Sequence, residues 1–451
     1  MAKKTASWAV PDDAEIRAIL MDRIDVQRRG VGLVVGVVNK DGHRIVAYGK
    51  TSKGDDRTPD GDTLFEIGSV TKTFTSLLLS DMVERGEIAL DDPAANYLPA
   101  GVTMPARNGK QITLFDLATH TSGLPAMPTN FYPNDPANPF GDYSIDKLYR
   151  SVTSYVLSRD IGENYEYSNL GVGLLGHILE QRAGIDYETL LHRRITGPLG
   201  MSSTAINLPP ALTARLARGH DQGLQPVRNW TLAALGGAGA VRSTANDLLQ
   251  FMAAELGYVE TSLKVAMSAQ LRPRRPTDTK GMEAALGWFI LMTPAGEIVF
   301  HDGRTAGYQS FLGLNQERGV GVVVLANTFT LSGVGDIGLH LMTGTPLAQS
   351  RPQHPRIVLD AAALERYVGR YKVLPTAVLS ITREADQLFA QLVIDGAEQQ
   401  RSTYELHPDT PTHFYWDADD TEITFQVGPD GRVTGLVARR FGRDTLGTRL
   451  P

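Results

Sequence analysis

The chain has 451 residues, which favours two domains, and its 42% hydrophobic and 21% charged residues are typical of a globular protein. A formal net charge of −6 gives no sign of a nucleic-acid-binding surface, and the absence of cysteine excludes disulfides, thiolate catalysis and cysteine-bound metals. No apolar stretch reaches the length of a membrane span, and no secretory signal is visible, so we expect a cytoplasmic protein, or a periplasmic one if a leader was removed.

The first two-thirds of the chain show strands at both ends and helices between them. Apolar periodicity and turn residues predict a helix at 12–28, a hairpin at 30–50, a long helix from Ser69 to near Gly86, and a Pro-, Asn- and Gly-rich surface loop at 126–143. Further helices are predicted at 143–158, 169–183, 186–195, 243–255 and 334–342, and further strands at 286–291, 298–302, 309–315 and 319–327. This order predicts an α+β fold in which one antiparallel sheet joins both ends and carries the helices on its faces.

A linker is predicted at 346–355, after a first domain at 1–345. A short helix at 361–367 precedes segments of alternating polarity at 378–381, 388–392, 413–416, 423–426 and 433–437. Regular turn residues between them indicate a small β-barrel or sandwich over 356–451.

The most informative local pattern is Ser69-Val70-Thr71-Lys72 at the start of the long predicted helix. Residues three apart share a helix face, so the Lys72 amine would lie beside the Ser69 hydroxyl. A buried lysine favours its neutral form and can take the proton of a serine nucleophile. The alternative is a helix cap, which is our interpretation of the second copy of the pattern, at Ser144 to Lys147.

Two further motifs follow the first in chain order. In Tyr167-Ser168-Asn169, the first and third side chains of an extended segment point the same way, which suits a phenol that passes a proton and an amide that orients a lysine or a substrate carbonyl. In His301-Asp302-Gly303, glycine at a strand end would let a substrate approach the backbone closely, and the next N–H, that of Arg304, could pair with the Ser69 N–H as an oxyanion hole. The alternative for His301 is a strand-end histidine satisfied by solvent.

Together, the order Ser-x-x-Lys, Tyr-x-Asn, His-x-Gly over roughly residues 12–343 resembles the class C-like branch of the serine β-lactamase and penicillin-binding-protein superfamily. The resemblance implies a sheet flanked by an all-helical region, with the site in the cleft between them. It implies that Ser69 is acylated, that Lys72 and Tyr167 share the general-base and general-acid work in either order, and that Asn169 hydrogen-bonds Lys72 or the acyl group. The N–H groups of Ser69 and Arg304 would hold the oxyanion.

The chain departs from the superfamily at the third motif, because Lys-Thr-Gly appears nowhere in it. His301, mostly neutral at pH 7, replaces a fixed cation, so the resemblance points to the esterase, D-aminopeptidase and D-peptidase members, which act on small esters or D-configured peptides. The alternatives are a penicillin-binding or sensor protein with little turnover, and a weak β-lactamase. We predict a small-molecule ester or peptide substrate, no nucleic-acid partner and no membrane partner.

The segment 356–451 resembles the lipocalin-like β-barrel of some D-peptidases, chiefly through Tyr367-Val368-Gly369-Arg370-Tyr371. It could bind a ligand, shape the cleft or hold a homo-oligomer together, and plain packing is the alternative.

Four large side chains are candidates for the substrate pocket, each with ordinary packing as the alternative: Met127, Phe131, Trp230 and Tyr308. We predict no cofactor and no metal. The run from Gly171 to Gly176 matches a dinucleotide fingerprint, but the segment before it is too polar for a buried strand, and we interpret these glycines as helix-packing residues.

Overall fold

The computed structural model describes residues 9–330, 333–348, 356–374, 377–394, 403–415, 421–440 and 443–451. Within these ranges the chain forms one large antiparallel sheet with helices around it, followed by a closed β-barrel. The predicted α+β class is therefore confirmed. The predicted linker runs into residues 349–355, which lie outside the described ranges.

The large sheet is built from both ends of the first region, as predicted. Its strand order is β2-β1-β12-β11-β10-β9-β8-β7, and β1 pairs with β12 so that Leu33 lies opposite Ala326. The strands before the barrel are β1 Gly32–Asn39, β2 Gly42–Gly49, β3 Leu64–Glu66, β4 Ala106–Arg107, β5 Lys110–Gln111, β6 Arg242–Thr244, β7 Arg275–Pro276, β8 Met282–Ala284, β9 Phe289–Thr293, β10 Gly296–Arg304, β11 Gln309–Asn315 and β12 Val320–Ala326.

Helices cover both faces of this sheet. The helices are α1 Asp13–Met21, α2 Thr71–Glu84, α3 Leu114–Ala118, α4 Ile145–Ser154, α5 Asn169–Ala183, α6 Tyr187–Leu191, α7 Pro210–Thr213, α8 Gly236–Gly239, α9 Ala245–Glu255, α10 Lys264–Gln270, α11 Gly335–Thr343 and α12 Ala361–Glu365. Side chains of α1 and α11 form one apolar layer with the sheet, and α2, α5 and α9 belong to the larger core on the other face. Burial on both faces explains the continuous apolar runs of β1, β11 and β12.

Local chemistry sets several of the predicted helix boundaries. Ser168 caps α5 by accepting a hydrogen bond from the Gly171 N–H, and Thr244 caps α9 in the same way through Asp247. Ser144 caps α4, which confirms our interpretation of the second Ser-x-x-Lys pattern. Glycines of the 171–176 run pack against α8: a Cβ added to Gly176 would lie 2.9 Å from the Gly237 Cα.

The last region closes into a barrel in which the strands follow one another in chain order. Its strands are β13 Gly369–Leu374, β14 Ala377–Glu384, β15 Gln387–Ile394, β16 Thr403–Pro408, β17 His413–Tyr415, β18 Glu422–Val427, β19 Val433–Arg440 and β20 Arg443–Arg449. The barrel, and not the sandwich, is confirmed. Residue 416 of the predicted strand 413–416 lies outside the described ranges, and β13, β16 and β20 were not predicted.

Aromatic side chains fill the barrel. Tyr367, Tyr371, Phe414 and Phe425 are buried, and their rings contact one another at centroid distances of 4.4 to 5.7 Å. In the described part of the chain, no helix is both long enough and apolar enough to cross a membrane.

Candidate active site

Ser69 lies in a tight turn where the sheet meets the first core helix. The turn, Gly68–Val70, is a single 3₁₀ turn that runs directly into α2, so the serine sits at a helix N-terminus. The end of β10 approaches this turn closely: a Cβ added to Gly68, whose φ is +49°, would lie 2.6 Å from the backbone nitrogen of Arg304. Only a glycine fits between the serine and the strand end.

Lys72 points at Ser69 from the next turn. Its side chain is fully buried, and its Nζ lies 3.0 Å from Ser69 Oγ, 2.8 Å from Asn169 Oδ1 and 2.7 Å from the Ala238 carbonyl oxygen. Burial lowers the pKa of Lys72 to about 7, and the negative charge of Asp302 opposes part of that shift.

This geometry gives the neutral amine a defined orientation. A neutral amine has two N–H bonds and one lone pair, whereas the ammonium has three N–H bonds. The Asn169 and Ala238 oxygens can only accept hydrogen bonds, so they take the two N–H bonds. The lone pair then faces Ser69 Oγ, which is the arrangement that removes its proton.

Tyr167 lies over the same amine. Its ring centroid is 4.8 Å from Lys72 Nζ, and its hydroxyl also interacts with Ser69. Desolvation raises the pKa of Tyr167 far above its usual value, although the Ser69 hydrogen bond and the positive charge of Arg304 act in the opposite direction. The phenol therefore keeps its proton at neutral pH.

His120 holds the Tyr-Ser-Asn segment in place. Its Nδ1 accepts a hydrogen bond from the Ser168 N–H at 3.0 Å, its carbonyl accepts one from the Glu166 N–H at 2.8 Å, and its ring centroid is 4.5 Å from that of Tyr167. Burial keeps the pKa of His120 well below its usual value, so the imidazole stays neutral and Nδ1 stays an acceptor. Sequence reasoning did not reveal that His120 positions the second motif.

His301 lies behind Tyr167, with ring centroids 6.3 Å apart. Its Nδ1 is 2.6 Å from the Asp302 carbonyl oxygen, and because a carbonyl only accepts, Nδ1 carries the proton. Burial lowers the pKa of His301 to about 4, although the negative charge of Asp302 acts in the opposite direction, so the ring is neutral at pH 7. Its Nε2 is a buried acceptor with no hydrogen-bond partner among the residues that the structure describes. The solvent-satisfied alternative is therefore wrong.

The structure shows why position 303 needs a glycine, and the reason differs from the one we predicted. A Cβ added there would lie 1.9 Å from the Ile67 carbonyl oxygen and 2.5 Å from Ser310 Oγ. The close approach is thus made by the chain's own nucleophile segment and not by a substrate. It presses β10 against that segment and brings the Arg304 backbone beside Ser69.

The placement of Tyr308 contradicts its predicted substrate-binding role. Tyr308 is fully buried, its hydroxyl donates to the Ala217 carbonyl oxygen at 2.5 Å, and it accepts from Asn229 Nδ2 at 2.9 Å. The residue packs beneath the cleft, edge-on to Phe65. Of the other pocket candidates, Trp230 lines the cleft, Met127 touches Asn169 and Phe131 packs on Phe140.

The cleft at Ser69 is narrow, with a free volume of about 60 Å³. Its lining combines large apolar side chains, which we call the apolar wall, with polar ones. The apolar wall is Phe140, Trp230, Leu232 and Leu235, the polar residues are Ser69, Asn169, Arg304 and Thr305, and Gly68, Ala238 and Gly239 complete the lining. In the described part of that lining, Arg304 is the one charged side chain, half-exposed and 3.6 Å from Asp302.

Sequence reasoning missed Phe140, Leu232, Leu235 and the Ala238 carbonyl, since no local signal marks residues that meet only in the fold. Among the described residues no group of three or more His, Asp or Glu side chains could hold a metal ion.

An antiparallel sheet, a nucleophile helix and a serine–lysine pair define the class of acyl-serine hydrolases with a β-lactamase-like fold. A family profile described as Beta-lactamase matches residues 16–342, and the chain belongs to this family. A profile described as Domain of unknown function (DUF3471) matches residues 353–448.

Individual relatives agree with this assignment. The chain is 29% identical over 346 residues to the D-alanyl-D-alanine-carboxypeptidase/endopeptidase AmpH of Escherichia coli strain K12, with 72% of this chain and 89% of the relative covered. It is 25% identical over 410 residues to penicillin-binding protein 4* of Bacillus subtilis strain 168, with 85% and 87% covered. A class C beta lactamase structure from Rhodobacter sphaeroides matches with a TM-score of 0.60 and 28% identity, over 70% of this chain and 93% of that one.

Proposed function

We propose that this protein hydrolyses small esters or peptides and amides that contain D-amino acids, through a covalent acyl-enzyme on Ser69. The observation that carries the proposal is the 3.0 Å contact between Ser69 Oγ and the Nζ of a fully buried Lys72 whose pKa is lowered to about 7. A base with a pKa near the working pH is the most effective one, because it is both available and strong enough.

In acylation, Ser69 Oγ bonds to the substrate carbonyl carbon while its proton passes to Lys72 Nζ. The developing oxyanion is held by the N–H groups of Ser69 and Arg304, which lie on two segments packed against each other through Gly68. Collapse of this intermediate breaks the bond to the leaving group. We assign the donation of a proton to that group to Tyr167, because its raised pKa keeps the phenol protonated, and Lys72 returns a proton to Tyr167.

In deacylation, water attacks the acyl carbonyl carbon, its proton passes to the Lys72–Tyr167 pair, and Ser69 Oγ leaves with a proton. Asn169 keeps the amine aimed at Ser69 throughout by accepting one of its N–H bonds at 2.8 Å. We assign to His301 Nε2, a buried acceptor behind Tyr167, the task of accepting a hydrogen bond from Tyr167 or from the incoming water.

The choice of substrate class follows from the cleft and from the relatives. The neutral His301 replaces the cation of Lys-Thr-Gly, which disfavours strong β-lactamase action. The cleft is narrow, with a free volume of about 60 Å³, which favours a small acyl group. AmpH is named a D-alanyl-D-alanine-carboxypeptidase/endopeptidase, which supports a D-configured peptide as one substrate to test.

The test is the mass of the intact protein after exposure to a fluorophosphonate and, separately, to a penicillin, together with turnover of a p-nitrophenyl ester and of a D-alanyl-D-alanine peptide. We expect one adduct per chain in the wild type, none in Ser69→Ala, and steady turnover of the ester or the peptide. Full turnover by Ser69→Ala would overturn the proposal.

A second candidate is a penicillin-binding protein that is acylated but turns over little. It is favoured by the similarity to penicillin-binding protein 4*, which extends over 85% of this chain and so includes the barrel region. A burst of one product per chain followed by negligible steady release would support this candidate, and sustained release would exclude it.

A further inference from the structure

The apolar wall of the cleft is tied to the nucleophile strand by a buried ion pair. Glu66, at the end of β3 just before the Ser69 turn, lies opposite Arg242 of β6 in the strand register. Arg242 Nη2 is 3.1 Å from Glu66 Oε1, and the two side chains are 13% and 5% exposed.

Both partners also bind the backbone of one residue of the wall, Trp230. Glu66 Oε1 accepts the Trp230 N–H at 3.1 Å, and Arg242 Nη2 donates to the Trp230 carbonyl oxygen at 2.7 Å. Asn229 Nδ2 adds a third hydrogen bond to Glu66 Oε1, at 3.0 Å. The N–H and the C=O of Trp230 are therefore both fixed by a pair that starts three residues before the nucleophile.

Trp230, the residue held in this way, lies at the candidate active site. Trp230 lines the cleft with Ser69, and its ring centroid is 5.1 Å from that of Phe140, which lines the same wall. Leu232 and Leu235 continue the wall, whereas Asn169 and Thr305 lie on the polar lining. A flat apolar group attached to the substrate carbonyl would be desolvated between these side chains.

A buried ion pair is weak evidence for stability, because desolvation of the two charges offsets much of their attraction. Its value here lies in geometry, since three hydrogen bonds join the pair to Asn229 and Trp230 of the loop. A wall fixed to the nucleophile strand keeps its distance from Ser69 constant, and small changes in that distance alter substrate orientation strongly.

We propose that Glu66 and Arg242 are positioning residues that hold Trp230 as a specificity wall, so that the enzyme prefers acyl groups with an aromatic or other flat apolar side chain. This inference rests on the proposed function of Ser69. It assigns a substrate class to that site. The enzyme should prefer arylacetyl esters to acetyl esters, and D-amino-acid derivatives with an aromatic side chain to D-alanyl derivatives.

The test compares kcat and KM for p-nitrophenyl phenylacetate and p-nitrophenyl acetate in the wild type, Glu66→Gln and Trp230→Leu. We expect the wild type to prefer phenylacetate, and both variants to lose about tenfold of that preference, mainly through KM. A purely structural defect lowers the active fraction for both esters equally, so it cancels in the ratio.

A matched control is Asp336→Asn, which breaks another buried ion pair, with Arg23, that also holds a backbone carbonyl, that of Gly333. It should lower the melting temperature without changing the ratio. If Glu66→Gln does not fold, Trp230→Leu still decides, because an unchanged ratio in that variant overturns the inference.

Fluorophosphonate labelling separates the two proposals. An unlabelled wild type would overturn the proposed function, whereas a labelled, active wild type with an unchanged ratio in the variants would overturn this inference alone.

Discussion

The cleft of the first region and the interior of the barrel both bury polar side chains, but they differ in how those side chains are hydrogen-bonded. In the barrel, the Tyr371 hydroxyl donates to the Tyr367 carbonyl oxygen at 2.8 Å, and the Tyr367 hydroxyl donates to that of Pro411 at 2.5 Å. Each hydroxyl is satisfied by the backbone, and aromatic rings fill the remaining space. At the cleft, Lys72 is buried with no carboxylate bonded to it, and His301 Nε2 has no partner among the described residues.

This difference separates a packing core from a reaction site. A buried polar atom without a protein partner destabilises the fold by about 1–3 kcal/mol, and His301 Nε2 is such an atom on a ring beside Tyr167. That the barrel binds a ligand stays a prediction. The barrel also contacts the first region, because Tyr404, which packs against the barrel core, donates to Gln222 Oε1 at 2.9 Å.

Removing the base at position 72 while keeping a cation should have the greatest effect on turnover. We expect Lys72→Arg to lower kcat/KM for a p-nitrophenyl ester by about 10³-fold or more, because a guanidinium stays protonated and has no lone pair for Ser69. Stopped-flow acylation rates would measure this loss. Lys147→Arg, in the second Ser-x-x-Lys pattern, is the control and should stay within about twofold. Lys147 pairs with Asp142 at 2.8 Å, and neither residue lines the cleft at Ser69. Retention of a tenth of the wild-type rate by Lys72→Arg would refute the role of the amine.

Removing the unpaired nitrogen of His301 should give the next largest loss of turnover. His301→Phe keeps a ring against Phe289, whose centroid is 5.0 Å away, but removes the acceptor. We expect kcat to fall about 10²-fold while the free energy of unfolding changes by no more than about 1 kcal/mol. His177→Phe is the contrasting variant, because both nitrogens of His177 are bonded, to Tyr149 and Glu180. It should lose stability and keep kcat, and the reverse pattern in the two variants would rule out a catalytic His301.

Much of the first region follows from local sequence, and the parts that do not are those made by distant contacts. The helix at 169–183 and the strand at 309–315 have the predicted bounds, because cap residues and apolar periodicity mark their ends. The Ser69–Lys72 contact follows from helix geometry alone. Tyr308 and Trp230 look alike in sequence, and only the fold buries one and exposes the other to the cleft.

The barrel was harder to predict for a related reason. Strands β14 and β15 alternate clearly, but β20 carries charged and small residues at most positions, so its pattern is weak until its neighbours β19 and β13 pair with it. In the site, the Ala238 carbonyl that orients Lys72 has no side chain to recognise, and it lies 166 positions away in the chain.

A subtler change tests the electrostatics of the cleft. The pKa of Lys72 is about 7, so kcat/KM should rise as the pH increases through that value and the amine loses its proton. The charge of Asp302 raises this pKa against the effect of burial. Asp302→Asn removes that charge, disfavours the ammonium and should move the rising limb to lower pH. The surface variant Asp135→Asn, which loses only its pair with Arg228, should leave the profile in place. A limb that moves to higher pH in Asp302→Asn would contradict the assignment of the limb to Lys72.

The smallest expected effect lies in the barrel. Tyr371→Phe removes one buried hydroxyl and leaves the Tyr367 carbonyl without this donor, which should destabilise the barrel by about 1–2 kcal/mol. If the barrel interior is only a packing core, ester turnover below the melting temperature stays at the wild-type level and only the thermal transition moves. If turnover falls as well, the two regions are coupled, and the Tyr404–Gln222 contact is the route to examine, because the loop that holds Gln222 continues to Trp230 at the cleft wall. Repeating both measurements in Gln222→Ala then decides the matter, since a coupled barrel predicts that this variant reproduces the loss of turnover without the shift of the barrel's transition.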